Sequence, residues 1–193
     1  MKTIRELCEY REDIKKSRFI CLAKPVQTID EAMAFFDEYS DPQARHNCWA
    51  YKVGNDYRFN DDGEPSGTAG RPILSAIEYA ELTNVAVLVL RWFGGIKLGT
   101  GGLCRAYGGS AAQCLKLSEE VEIFAMKKFS FRTNFEQAAL VHRLLDGAQA
   151  NEVYDEKGIH WSLELEEKKA DQFCESLSEL SRGQITFEEA END

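Results

Sequence analysis

Along residues 126–193 the apolar positions switch between two periods. Phe129, Phe131 and Thr133 alternate with Lys128, Ser130 and Arg132, which predicts a strand. Phe135, Ala138, Ala139, His142 and Leu145 share a helix face that Gly147 ends. A weaker strand is expected over 150–155, then a turn at Lys157-Gly158. Ile159, Trp161, Leu163 and Leu165 alternate with polar residues as a strand; Ala170, Phe173, Cys174, Leu177 and Leu180 mark a second helix closed by Gly183. Ile185 and Phe187 predict a last strand. The order is βαββαβ, a ferredoxin-like pattern. His142 reads as a core-edge histidine, His160 as a residue of the polar strand face, and the acidic tail Glu188–Asp193 as solvated and frayed.

Residues 1–125 predict a mixed α/β domain, so the whole chain reads as α+β with two domains, 1–125 and 126–193. Strands are expected near 4–11 and 17–24. Thr28 and Glu31 form a capping box for a helix carrying Ile29, Ala32, Met33 and Phe36. Segments 46–53 and 56–60 flank Gly54-Asn55, a two-residue hairpin signal. Pro72 suits the start of a helix to about Leu82. Val85–Leu90 is an unbroken apolar run, expected as a buried strand, and a helix follows from about Gly101 to Leu117.

Charge sharpens this division. The chain has 193 residues and a net charge of −10, with 23 Lys plus Arg against 33 Asp plus Glu. That balance argues against a strongly basic nucleic-acid binder. No apolar stretch approaches the roughly 18 residues of a membrane span, and the first residues lack a signal-peptide core. Six cysteines occur without zinc-knuckle spacing, as expected of apolar filler in a reducing compartment. These features predict a soluble, cytoplasmic protein. All four prolines lie in the first 72 residues, and ten of the fourteen glycines lie between Gly63 and Gly109. The special backbone chemistry therefore belongs to the first domain.

Two loops carry candidate chemistry. Residues 60–72 form a long aperiodic segment of the kind that serves sites. If Gly54-Asn55 turns the hairpin, Val53 pairs with Asp56, and Cys48, Asn47 and His46 face Asp61, Asp62 and Gly63. His46 then meets Asp61, Asp62 and Glu64 at the open hairpin end, with Ser66, Thr68 and Arg71 completing the polar set. Such a cluster suits a divalent metal or acid–base work. A loop clamped by its own hydrogen bonds is favoured, because no ligand spacing matches a known metal site. No metal or cofactor is expected; His46, Asp61, Asp62 and Glu64 are the only candidates for one.

The second loop runs from Arg91 to Tyr107, between the buried strand and a helix N-terminus that favours anions. Arg91, Lys97 and Arg105 add positive charge, with no acid between 91 and 109. Gly99, Gly101 and Gly102 permit close backbone approach to phosphate. Trp92 and Phe93 suit either base stacking or core filling. The standard nucleotide motifs fail: Gly94-x4-Gly99 is followed by Thr100 rather than Lys, and a dinucleotide fingerprint from Gly99 would need glycine where Cys104 stands.

Taken together, Ser17–Ile20, His46–Tyr51, Asp61–Leu74 and Arg91–Tyr107 resemble the YigZ/IMPACT family, with Trp92 where its members commonly have Tyr and Cys104 where many have Val. The resemblance covers about residues 1–125 closely. It implies a first domain with the fold of the second domain of ribosomal protein S-five and a ferredoxin-like second domain, a pair also found in series in elongation factor G. Eukaryotic IMPACT proteins restrain the amino-acid-starvation kinase of translation initiation and carry an extra N-terminal partner-binding domain. This chain begins almost directly at the family domain and resembles the bacterial YigZ-type members, so that partner role need not transfer.

The leading expectation is a noncatalytic accessory factor in translation that binds RNA or the ribosome through the basic glycine-rich loop. A small metal- or phosphate-dependent enzyme acting on a nucleotide or phosphorylated substrate is the first alternative. A protein–protein regulator of translation or stress signalling is the second.

Overall fold

The computed structural model describes residues 1–189, in two compact units, Met1–Ile123 and a second that begins at Phe124. The boundary falls two residues before the one expected.

In the first unit, β1 (Lys2–Ile4), β2 (Cys8–Ile14) and β3 (Ser17–Pro25) precede α1 (Ile29–Tyr39). Next come β4 (His46–Val53), β5 (Asp56–Asn60), α2 (Gly70–Tyr79), β6 (Val85–Trp92), α3 (Thr100–Leu117) and β7 (Glu120–Glu122). Five strands form an antiparallel sheet in the order β2-β3-β6-β4-β5. The side chains of α1, Ala32, Phe35 and Phe36, pack on Leu22, Trp49, Ala86 and Leu88 of one face. Ile73, Leu74 and Ile77 of α2, with Leu103 and Tyr107 of α3, pack on Cys21, Cys48, Val87 and Val89 of the other. The central strand β6 is thus covered on both faces, which explains its unbroken apolar run.

The expected strand over 4–11 divides in two. Ile4 is buried on β1, which pairs with β7, a short strand its alternating Glu-Val-Glu did not announce. Helix α1 is capped as the sequence requires, with Thr28 Oγ1 accepting from the Glu31 amide at 3.1 Å. Helix α2 begins at Gly70 rather than Pro72, because the Asp61 carboxylate accepts from the Ala69 and Gly70 amides at 3.0 and 2.8 Å and so caps it from a distance.

The second unit has the βαββαβ order: β8 (Met126–Thr133), α4 (Ala138–Leu145), β9 (Ala150–Asp155), β10 (Gly158–Glu166), α5 (Glu167–Leu180) and β11 (Phe187–Glu189). Its antiparallel sheet runs β11-β8-β10-β9. Phe129, Phe131, Trp161 and Leu163 meet Val141, Phe173 and Leu177 in its core. Buried Trp161 donates to Thr133 Oγ1 at 2.8 Å, satisfying the indole N–H. His142 stands edge-on to Trp161 at the core margin, as expected. Of the expected frayed tail, Glu188 and Glu189 belong to β11, and residues 190–193 lie outside the described residues.

Candidate functional site

The β4–β5 hairpin has the register that the Gly54-Asn55 turn implies: Val53 opposes Asp56 and Trp49 opposes Asn60. Beyond Asn60 the strands part, but the facing order persists in side-chain contacts. Cys48 Sγ donates to the Asp61 carbonyl at 3.0 Å, the Asn47 amide donates to Asp62 Oδ2 at 2.5 Å, and His46 Nδ1 lies 2.7 Å from the Asp62 carbonyl. A carbonyl only accepts, so Nδ1 carries a proton and donates to it.

The acidic cluster resolves into separate tasks. Asp61 accepts from three backbone amides, adding Gly67 at 2.8 Å to Ala69 and Gly70, and Asp62 holds Asn47. These carboxylates clamp the loop, the arrangement the sequence favoured. Thr68 is buried with its hydroxyl donating to the Pro65 carbonyl at 2.6 Å, Ser66 is exposed, and Arg71 lies on the surface 3.6 Å from Glu78. None of these five lines the pocket described below. Among the described residues no three His, Cys, Asp or Glu side chains cluster as metal ligands.

Glu64 turns inward. It is 9% exposed, and its Oε1 accepts from Arg91 Nη1 and, at 2.8 Å, from the Tyr107 hydroxyl. His46 Nε2 lies 3.8 Å from the same oxygen. Arg91 is 5% exposed, with its guanidinium 5.6 Å from the ring centroids of both Phe19 and Phe93. This corrects the expectation that Arg91 offers its charge to phosphate: that charge is already met by Glu64. Among the described residues, buried Arg91 Nε has no hydrogen-bond partner. Burial pushes the Tyr107 hydroxyl well above its ordinary pKa of 10.0, with Cys48 and Glu64 adding to the effect. Burial likewise pushes the Cys48 thiol above 9.0.

The two loops do line one pocket, of about 400 Å³. His46 comes from the start of β4 and Arg45 from just before it, Gly63–Pro65 from the acidic loop, Arg91 from the end of β6 and Phe93 from just beyond it. Lys97, Leu98, Gly99, Thr100 and Leu103 come from the glycine-rich loop and the first turn of α3. Phe93 is 41% exposed, with the Arg45 guanidinium 5.8 Å from its centroid. The N-terminus of α3, an 18-residue helix, has neither a side-chain cap nor an acid in its first turn. Its dipole and free amides therefore favour an anion. Gly99 precedes it with φ of 72°, a left-handed conformation suited to glycine.

Four other expected residues lie elsewhere. Trp92 follows Arg91 on the strand and so faces the α1 side of the sheet, where Arg18 stands 5.4 Å from its ring. Gly101 and Gly102 lie within the first turn of α3, outside the pocket lining, and Arg105 borders a different hollow. Gly94 marks where the loop crosses the β2–β3 turn: a Cβ there would lie 1.8 Å from the Lys16 carbonyl oxygen. Arg45 was missed, although the hairpin register that aligns His46 with Gly63 also sets Arg45 opposite Glu64.

The Impact N-terminal domain model matches residues 15–115, the segment that supplies the pocket. A Thermus thermophilus protein described as an IMPACT family member is 44% identical over 178 residues, covering 91% of this chain and 99% of its own. YigZ of Escherichia coli, also described as an IMPACT family member, is 33% identical over 184 residues, 90% of each chain. A crystal structure of a hypothetical protein superposes with a TM-score of 0.73 at 30% identity, covering 100% of this chain and 98% of that one. With this agreement in motif, length and fold, the chain belongs to the IMPACT family.

Proposed function

We propose that this protein is a noncatalytic accessory factor in translation that binds RNA, free or within the ribosome, through the pocket between the acidic and glycine-rich loops. The observation that carries this reading is the exposed Phe93 ring beside Arg45, Lys97 and the uncapped N-terminus of α3. A phosphate at the helix N-terminus is stabilised by free amides and two exposed cations, while Phe93 gives a base a surface to stack on. With a net charge of −10, the chain as a whole opposes nonspecific RNA binding, so attachment needs a local basic patch such as this. The place in translation rests on the family resemblance, including the domain pair shared with elongation factor G.

Cosedimentation with purified ribosomes at low and moderate salt tests this. Wild type pellets in a salt-sensitive way and an Arg45→Glu/Lys97→Glu variant does not. Pelleting that survives both changes, or a wild type that neither pellets with ribosomes nor binds free single-stranded RNA, overturns the reading.

One feature favours the enzyme alternative. His46 lines the pocket beside Glu64, with its ring held through Nδ1 on the Asp62 carbonyl, so an imidazole is positioned there for acid–base work. Stabilisation by a mononucleotide that disappears in His46→Ala, with no ribosome pelleting, would establish that alternative instead.

A further inference from the structure

Arg105 borders a second hollow of about 190 Å³, which it shares with Lys15, Gly102 and Leu98. Leu98 also lines the first pocket. The two basic depressions therefore meet across one apolar side chain. Arg105 follows Thr100 by five residues on α3, a separation of about 7.5 Å along the helix axis.

Lys15 and Lys16 form the two-residue turn between β2 and β3, with φ of 46° and 67°. A turn with two left-handed residues ordinarily takes Asn-Gly, and non-glycine residues there cost about 1–2 kcal/mol each. Here both are lysines, and the Lys16 carbonyl lies under Gly94 of the glycine-rich loop. Among the described residues, none of Lys15, Lys16, Arg45, Lys97 and Arg105 has a carboxylate within ion-pair distance, so their charges are free to meet a phosphate.

We infer that the two hollows are successive phosphate subsites of one single-stranded RNA, which runs from Lys15 and Arg105 over Leu98 to Arg45 and Lys97. One phosphate cannot fill both depressions, because Leu98 separates them. A strand carries a phosphate at every nucleotide and can rest a sugar or base on the leucine. This inference rests on the RNA-binding reading above and specifies the ligand as a strand rather than a mononucleotide.

The test compares uridine monophosphate with single-stranded RNAs of about two and about eight nucleotides by fluorescence anisotropy and competition. The variant is Lys15→Asn/Arg105→Gln, in which Asn retains the left-handed backbone. Wild type binds the longer RNA at least about tenfold more tightly than the shorter. The variant loses about tenfold on the longer RNA and keeps its affinity for uridine monophosphate. Its salt slope becomes shallower by about 0.7, the value for one lost phosphate on a single strand. Affinity independent of length, or a variant equal to wild type when Arg45→Glu/Lys97→Glu is impaired, overturns the strand path and leaves the pocket reading standing. No RNA binding by wild type overturns both.

Discussion

Glu64 and Arg91, 27 residues apart in the chain, form an ion pair inside the first domain, each with its side chain 6% exposed or less. The same carboxylate oxygen accepts from Tyr107 of α3, so one atom joins the acidic loop, the end of β6 and the helix that carries the glycine-rich loop. The pair is the frame that aligns the two loops. Taking two charges out of water is repaid only while both remain, so the frame is sensitive to loss of either partner.

Glu64→Ala leaves the Arg91 charge buried and unpaired, and is expected to cost about 3–5 kcal/mol. Arg71→Ala removes an exposed pair with Glu78 and is expected to cost less than about 0.5 kcal/mol. Urea denaturation of both variants measures the contrast. Equal losses would contradict the assigned burial.

Asp61→Ala strands the amides of Gly67, Ala69 and Gly70, two of them at the start of α2. The expected cost is about 2–3 kcal/mol, since charge-assisted bonds to backbone amides and a helix cap are lost together. Asp61→Asn keeps an acceptor for the Ala69 and Gly70 amides and is expected to lose less than half as much. An Asn variant as unstable as Ala would show that the negative charge, rather than the acceptor geometry, holds the loop.

Gly94→Ala introduces a methyl 1.8 Å from the Lys16 carbonyl oxygen, in a backbone–backbone contact with no flexible side chain to yield. The β2–β3 turn and the glycine-rich loop must separate, displacing Phe93 and Lys97. RNA affinity is expected to fall by at least about tenfold while both domains stay folded, because the buried helix faces are untouched. Unchanged affinity with a folded chain would contradict this placement of the loop.

Alkaline pH tests the buried pair beneath the pocket. In the unfolded chain Cys48 ionises near its ordinary pKa of 9.0 and Tyr107 near 10.0, whereas in the folded chain burial holds both protons on. The folded pKa values are raised, so the stability these groups contribute is complete below about pH 9 and is lost as pH rises beyond it. Each group steepens the loss by about 1.4 kcal/mol per pH unit above its unfolded pKa. Denaturation midpoints between pH 8 and about pH 11 should fall in wild type and fall less steeply in Cys48→Ala. A parallel fall in both would contradict the assigned burial of the thiol.

Much of this was legible in the residues. A two-residue turn at Gly54-Asn55 sets one register, and that register brings His46, Asn47 and Cys48 to the loop carbonyls and carboxylate they bind. The βαββαβ order follows from period alone, because that unit has a single core and each element shows it one face. Strand parity separates Arg91 from Trp92, since neighbours on a strand point to opposite faces. The burial of Arg91 was not legible: its partner Glu64 lies on an aperiodic loop, and nothing local says which acid turns inward. The strained lysine turn at 15–16 was hidden as well, because its composition gives no turn signal. The start of α2 depends on Asp61, nine residues before Gly70 and outside any local capping pattern.

The most direct test is the affinity of wild type and the Arg45→Glu/Lys97→Glu variant for a single-stranded RNA of about eight nucleotides, from about 50 to about 200 mM salt. The account predicts that wild-type affinity falls steeply with salt and that the variant loses most of its binding at every salt concentration while unfolding at the wild-type midpoint. Wild-type affinity that ignores salt, or a variant that binds as wild type does, would contradict it.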